Sequence, residues 1–149
     1  MILKIISGGQ TGVDRAALDF ALEHGIPTGG WCPKGRKAED GPIPSPYPLR
    51  ETSSTDYRVR TEKNVTDSDG TLILTLGKLT GGTAYTAKVA ENHRKPYIVI
   101  DLSGKPDPKS IMAWVVQNNI QTLNVAGPRE SKSPGVHDMA VDFLKRMLT

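Results

Sequence analysis

A glycine-rich segment near the start of the chain has the composition of an anion-binding loop. The segment SGGQTG at residues 7–12 follows the apolar run Ile2–Ile6 and precedes the helical pattern Val13–His24. Such a loop brings backbone N–H groups and the positive end of a helix dipole to one point, which favours a bound phosphate. Its glycines allow close approach of the main chain, and its polar side chains add donors. The residues predicted to contact a ligand here are Gly8, Gly9, Gln10, Thr11 and Gly12.

Two further polar glycine loops follow later apolar runs. TGGT at 80–83 comes after the run Thr71–Leu76, and AGPRES at 126–131 ends the run Thr122–Ala126. Loops after parallel strands leave one edge of the sheet, where open α/β sheets bind ligands. Each loop alone is also typical of a packing turn, but the three together predict an anion or nucleotide-like site. The candidate residues in these two loops are Gly81, Gly82, Thr83, Gly127, Arg129, Glu130 and Ser131.

Charged side chains beside the first loop are candidate contacts to such a ligand. A guanidinium grips phosphate through two hydrogen bonds, so Arg15 in the first helical turn is a candidate, with an ordinary surface position as the alternative. Asp14 either favours the helix N-terminus electrostatically or recognises a ligand hydroxyl or amino group. Lys34 and Arg36 add positive charge from the segment that follows the second strand.

The segment from Asp56 to Asp69 has a weak helical pattern ahead of the third strand. Arg60, Thr61 and Asn64 share one face at helical spacing, and Arg58 is expected to line the same cleft with them. Because the apolar pattern of this segment is too poor for simple packing, the polar face predicts a wall of the same cleft. The alternative is a surface helix that faces solvent.

Several other chemistries are not predicted. GGQTGVD lacks the G-x-G-x-x-G spacing of dinucleotide-binding loops, and the chain has no Gly-Lys-Ser/Thr phosphate loop and no G-x-S-x-G elbow. Cys32 has no obvious paired base, and His24, His93 and His137 lack metal-ligand spacing. The sequence therefore predicts neither a catalytic nucleophile nor a metal site.

Apolar runs alternate with helical patterns, which predicts βα units. Strands are predicted at Ile2–Ser7, near Thr28–Trp31, and at Thr71–Leu76, Tyr97–Asp101 and Thr122–Ala126. Helices are predicted at Val13–His24, Thr83–His93, Pro108–Asn119 and Val136–Leu148. We expect one α/β domain over residues 1–149, with a Rossmann-like, doubly wound, mostly parallel sheet of about five strands. Helices should cover both faces, and the first strand should be central.

The segment 32–55, called the flap here, lacks apolar periodicity and is rich in proline. A connection this long inside a compact domain is usually functional or mobile, and proline stiffens it. Residues 32–63 carry seven Lys/Arg and five Asp/Glu, which fits either a solvated loop or a flap that faces an anion. Trp31 and Tyr47 are candidates for stacking on a ligand ring, with core or hinge positions as the alternative.

Composition narrows the classes of partner. A chain of 149 residues suits one domain with an ordinary core. No apolar segment approaches the roughly 20 residues of a membrane span. The net charge of +3 does not indicate a nucleic-acid binder. A single cysteine forms no intrachain disulfide, so we expect a cytoplasmic protein.

Five segments together resemble the molybdenum carrier family, whose members are similar to the molybdenum cofactor carrier protein of algae. They are SGGQTGVDRAALDFAL, GWCPKGRKAEDGPIP, RTEKNVTDSDGTLIL, LTGGT and NVAGPRES, in the family's order over nearly the whole chain. The family lies in a wider Rossmann-like group that includes the "lonely guy" phosphoribohydrolases. The resemblance implies a Rossmann-like sheet, a homo-oligomer and binding of molybdenum cofactor, a phosphate-bearing molybdopterin whose dithiolene holds an oxo-metal.

One departure separates this chain from the enzymes of that group. The resemblance implies that the related phosphoribohydrolases carry the motif P-G-G-x-G-T followed by a catalytic glutamate. This chain instead has TGGTAYT at residues 80–86, without the third glycine or the carboxylate. Its next glutamate, Glu91, lies two turns further on. Glycosidic cleavage is therefore not expected. The resemblance implies a carrier or storage protein, and the glycine loops predict that its ligand is phosphorylated. The alternatives are a nucleotide-processing enzyme, similar to a nucleoside monophosphate phosphoribohydrolase, and a nucleotide-binding sensor.

Overall fold

Parallel strands carry the three glycine loops. The computed structural model describes all residues from Met1 to Thr149. The strands are β1 (Lys4–Ile6), β2 (Thr28–Gly29), β3 (Trp31–Cys32), β4 (Arg50–Glu51), β5 (Gly70–Thr75), β6 (Tyr97–Asp101) and β7 (Thr122–Ala126). A five-stranded sheet has the order β2-β1-β7-β5-β6, and β3 pairs with β4 in a separate two-stranded sheet. Every pairing is parallel.

Helices cover both faces of the five-stranded sheet. They are α1 (Val13–Glu23), α2 (Tyr57–Asp67), α3 (Gly81–Asn92), α4 (Pro108–Gln117) and α5 (Val136–Leu148), with a 3₁₀ turn at Leu102–Gly104. Helices α1, α4 and α5 pack together over the main core, while α2 and α3 pack on each other around a second apolar cluster. Connections that run toward the β2 edge cross the face covered by α1, α4 and α5. Connections that run toward the β6 edge cross the face covered by α2 and α3, as right-handed crossovers require.

The core follows from local sequence patterns. All six residues of β5 are buried, as its apolar run predicts for a parallel strand covered on both faces. Helix α5 buries Val136, Ala140, Phe143, Leu144 and Met147, which recur at helical spacing. No helix has both the length and the apolar composition needed to cross a membrane.

The expected fold class is confirmed, with two corrections. The first strand is not central, because the last crossover returns the chain to a place between β1 and β5, and β7 becomes the middle strand. The flap is not without regular structure, since it contributes one residue of β3 and all of β4. The weak pattern after the flap does form a helix, α2, whose N-cap residue Asp56 accepts a hydrogen bond from the Arg58 N–H at 2.9 Å.

Candidate functional site

A polar pocket lies at the carboxyl edge of the sheet, where the three glycine loops meet one face of α2. Its volume is about 160 Å³, and three of its eighteen lining residues are hydrophobic. This pocket is called the polar pocket below. The sequence-predicted residues on its wall are Gly8, Gln10, Asp14, Arg60, Thr61, Asn64, Gly82, Thr83, Gly127 and Arg129.

The start of α3 opens into the polar pocket without a side-chain cap. Thr80 is the N-cap residue, and its hydroxyl makes no capping hydrogen bond. Gly81 follows with φ 52, a left-handed conformation that glycine adopts readily. A Cβ added to Gly81 would lie 3.0 Å from Lys132 Nζ, so the lysine ammonium stands beside this helix end. Unpaired first-turn N–H groups, the helix dipole and a lysine together favour an anion.

A buried ion pair forms another part of the wall. Arg60 Nη1 lies 3.2 Å from Asp14 Oδ2, with side chains 13% and 7% exposed. The Gln10 N–H donates to the same oxygen at 3.3 Å. Burial raises the pKa of Asp14 above its ordinary value, although Arg60, the Gln10 N–H and Arg15 oppose that rise. A Cβ on Gly8 would lie 1.9 Å from Arg60 Nη1, so the guanidinium occupies the space that glycine leaves.

Asn124, in the middle strand β7, presents an acceptor to the pocket. Asn124 is 2% exposed, and its Nδ2 donates a hydrogen bond to Thr71 Oγ1 at 3.2 Å. Its Oδ1 accepts no hydrogen bond from the protein. Every fully buried side-chain nitrogen or oxygen in the protein has a hydrogen-bond partner, so this oxygen is not fully buried. This oxygen therefore reaches the open space of the pocket that Asn124 lines, where it can accept a hydrogen bond from a ligand.

Glu39 of the flap joins the first and third glycine loops. Its carboxylate accepts hydrogen bonds from the Thr11 and Ser131 hydroxyls and from the Ser131 N–H at 3.2 Å. Arg129 Nε lies 3.5 Å from the same carboxylate. Partial burial opposes ionisation, but the hydrogen bonds from Ser131 and Thr11 outweigh it and lower the pKa of Glu39. The flap thereby orders the loop that carries Arg129 to the pocket.

Three predicted cations lie away from the polar pocket. Arg15 forms a two-point ion pair with Asp40 at 2.9 and 3.1 Å and donates to the Gly9 carbonyl. Arg36, with φ 54, donates to carbonyl groups within the flap at Ile43, Pro44, Tyr47 and Leu49. Lys34 is exposed on the flap. The structure thus gives Arg15 and Arg36 a role in holding the flap.

The remaining predicted loop residues contact protein. A Cβ on Gly9 would lie 2.5 Å from Leu49 Cδ1, and one on Gly12 would lie 2.4 Å from the Pro128 carbonyl oxygen. Glu130 accepts hydrogen bonds from the Gly135 N–H at 2.6 Å and the His137 N–H at 3.0 Å, so it caps the start of α5. Gly9, Gly12, Thr11, Glu130, Ser131 and Gly81 are not on the pocket wall.

The aromatic candidates also lie elsewhere. Trp31 Nε1 donates to Asp67 at 2.8 Å, and the Tyr47 hydroxyl donates to Asp19 at 2.5 Å, in both cases outside the polar pocket. The aromatic ring on the pocket wall is Tyr57, with the Arg60 guanidinium 5.3 Å from its centroid. Arg58, expected beside Arg60, instead pairs with Asp56 and is 69% exposed.

Sequence reasoning missed several residues of the wall, and some of them left a signal. Tyr57 lies one helical turn before Arg60 and Thr61, so the spacing that selected those residues also selects Tyr57. Asn124 is a polar residue inside a buried apolar strand, which is itself a signal. The missed residues with polar side chains are Tyr57, Thr80, Thr86, Asn124 and Lys132, and Val125, Ala126 and Pro128 complete the wall.

The fold and the pocket define a Rossmann-like α/β protein with a polar cavity at the carboxyl edge of its sheet. The chain belongs to the Circularly permutated YpsA SLOG family, which it matches over residues 5–148. A crystal structure of a protein named "Putative molybdenum carrier protein" from Syntrophus aciditrophicus SB is 52% identical in sequence. It aligns with a TM-score of 0.96 over 99% of this chain and 96% of that chain. No curated protein matches the chain. The resemblance carried by the five segments is thus confirmed.

Proposed function

We propose that this chain binds a phosphorylated heterocycle in the polar pocket, with molybdenum cofactor as the first candidate, and acts as its carrier or storage protein. One observation carries the proposal. The uncapped start of α3 meets Arg60, Arg129 and Lys132 around a single space at the sheet edge. The name of the similar protein from Syntrophus aciditrophicus supports the choice of ligand.

The cationic end of the pocket fits a phosphate. First-turn N–H groups of α3 and the ammonium of Lys132 approach one point, and Arg129 lines the same wall. Arg60 donates to Asp14 and to the Tyr57 carbonyl, and its Nη2 donates to no protein group. That nitrogen is available to a ligand oxygen.

Other groups on the pocket wall fit a nitrogen heterocycle. Asp14 and the Asn124 Oδ1 are acceptors, which suit the N–H groups of a pterin or purine edge. Tyr57 offers an aromatic face beside them. The pocket, at about 160 Å³, is smaller than the roughly 300–1,000 Å³ of common ligand sites. We therefore assign the phosphate and the polar edge of the heterocycle to the pocket, and the rest of the cofactor to its open rim.

In this proposal the molybdenum is bound by the cofactor and not by the protein. The chain contains no group of three His, Cys, Asp or Glu side chains placed to hold a metal ion. In this proposal the dithiolene of the cofactor keeps the metal, and the protein binds the phosphate and the ring system.

Native mass spectrometry of the protein purified from a host that makes molybdenum cofactor tests the proposal. We expect a bound species with the mass of the cofactor or of its metal-free pterin. The variant with Arg129→Gln and Lys132→Gln should lose it, whereas the matched surface variant Lys109→Gln should keep it. A wild-type protein that carries no such species even after incubation with released cofactor contradicts the proposal, as does an unaffected double variant.

A nucleotide-processing enzyme is the second candidate, and Asp14 is the observation that favours it. Asp14 is the one acidic residue on the pocket wall, and burial raises its pKa. Raised carboxyl pKa values occur at acid–base catalysts. Release of free base from a nucleoside monophosphate would support this candidate, and saturable nucleotide binding without release would favour a sensor.

We further propose a cytoplasmic homo-oligomer, since the resemblance implies an assembly and the lone cysteine, Cys32, forms no intrachain disulfide. Light scattering coupled to size exclusion checks the subunit number. A monomer at all accessible concentrations contradicts the oligomer.

A further inference from the structure

A second pocket lies beside Trp31, away from the glycine loops. It has a volume of about 170 Å³, and Lys4 from β1, Trp31 from β3, Arg50 from β4 and Asp67 from α2 are on its wall. We call it the indole pocket. A water molecule needs roughly 10–15 Å³ by the same kind of measure. The indole pocket therefore has room for a small ion with part of its hydration shell.

Cationic side chains outnumber carboxylates around this pocket. The Arg50 guanidinium lies 5.0 Å and the Lys63 ammonium 4.7 Å from the centroid of the Trp31 ring, and Lys4 lines the same space. None of these three cations forms an ion pair within the chain. The one carboxylate on the wall, Asp67, accepts the Trp31 Nε1–H at 2.8 Å. Two cations, Lys4 and Arg50, and one carboxylate therefore leave the wall with a net positive charge, which favours an anion.

Hydrogen bonds hold the backbone at Trp31 and Arg50, two residues on the wall of the indole pocket. The Trp31 N–H donates to Asn64 Oδ1 at 2.8 Å, and Asn64 Nδ2 donates to the Trp31 carbonyl at 3.0 Å. The Arg50 N–H donates to the Gly30 carbonyl at 2.9 Å. Gly30 has φ 126, and a Cβ there would lie 2.2 Å from the Ser7 carbonyl oxygen. The backbone at Trp31 and Arg50 is thus held by strand pairing, which limits the backbone reorganisation needed on binding.

We propose that the indole pocket is a second binding site, for a small oxyanion carried as a phosphate or carboxylate group. The guanidinium of Arg50 makes two-point hydrogen bonds to such a group, and Lys4 adds a point charge from the sheet. Trp31 supplies the apolar side of the pocket. The site shares no lining residue with the polar pocket, and the proposal does not depend on the proposed function.

Tryptophan fluorescence tests this site directly. The chain has two tryptophans, so Trp114→Phe leaves Trp31 as the single reporter. That protein is titrated with sodium phosphate and, separately, sodium acetate, at ionic strength held constant with sodium chloride. We expect a saturable change in Trp31 emission, with the tighter anion identifying the phosphate or the carboxylate class. Lys4→Gln should weaken the apparent affinity about ten-fold, as the loss of one charge-assisted contact predicts. Arg50→Gln should weaken it at least as much.

Two control variants make the result decisive. Lys88→Gln removes a surface lysine of α3, and Lys132→Gln removes a cation of the polar pocket; both should leave the titration unchanged. Lys4→Gln does not touch the indole contacts of Arg50, so its dissociation constant can be compared with that of the parent even if Arg50→Gln alters the emission itself. An absent or unsaturable response overturns the proposal, as does an unchanged dissociation constant in folded Lys4→Gln. A response abolished by Lys132→Gln also overturns it, because the anion then binds in the polar pocket.

Discussion

The Asp14–Arg60 pair is the residue-scale feature on which the polar pocket depends. The two side chains lie 3.2 Å apart and are nearly excluded from solvent. We predict that Arg60→Gln lowers the free energy of unfolding by about 3 kcal/mol, because it leaves a buried carboxylate without its cation. The loss should shrink as the pH falls, since a protonated Asp14 needs no countercharge. Urea denaturation at several pH values measures it.

The double variant Asp14→Asn with Arg60→Gln is the matched control for this pair. It removes both charges, so most of the lost stability should return. Equal destabilisation in the single and the double variant would show that Arg60 acts through packing over Gly8 and Tyr57, without dependence on the charge of Asp14.

At the scale of elements, Glu130 holds the start of helix α5 from the loop that precedes it. Its carboxylate accepts the N–H groups of Gly135, the N-cap residue, and of His137. We predict that Glu130→Ala costs about 1 kcal/mol of unfolding free energy, as the loss of a helix cap does, while ligand affinity stays unchanged. Chemical denaturation measures the first quantity, and Glu23→Ala, at the exposed last residue of α1, is the control. A large loss of affinity with unchanged stability would return Glu130 to the binding site.

The strands and helices also show how much of this fold the sequence predicts. The bounds of β6, β7 and α5 agree with prediction, because apolar runs and helical spacing are local signals. The flap could not be predicted in this way. Arg36 reaches carbonyl groups up to 13 residues away, and Arg15 pairs with an aspartate 25 residues away. Both guanidinium groups could bind a phosphate. Which partner each one contacts depends on how the flap folds back over α1.

At the scale of the whole molecule, His137 links the flap to two helices. Its Nε2 lies 2.8 Å from Asp19 of α1, and Asp19 also accepts from the Tyr47 hydroxyl of the flap. Burial lowers the pKa of His137, but hydrogen bonds to Asp19 and Asp138 outweigh it and raise that pKa above 6.5. Burial and Asp19 raise the pKa of Tyr47 to about 12, so its hydroxyl stays a donor. Arg15 also faces Asp19.

This link predicts a pH dependence of stability. A raised folded-state pKa means that the contribution of His137 is complete below the ordinary value of 6.5 and is lost as the pH rises through the folded-state pKa. The unfolding free energy of the wild type should therefore fall over this range by more than that of His137→Gln. Urea denaturation between about pH 6 and about pH 8 measures both. Parallel curves for the two proteins would mean that His137 is not charged in this network.

The identity of the whole molecule as a carrier or an enzyme depends on a single carboxylate. Glycosidic cleavage needs an acid or base near the departing group. Asp14 is the one acidic residue on the polar pocket, and Arg60 and the Gln10 N–H already hold its carboxylate. We predict that the purified protein releases no free base from nucleoside monophosphates above the uncatalysed background, as measured by chromatography. Glu130→Gln is the matched control, because Glu130 caps α5 away from the pocket. Base release that disappears in Asp14→Asn but persists in Glu130→Gln would make the molecule an enzyme, with Asp14 as its catalytic residue.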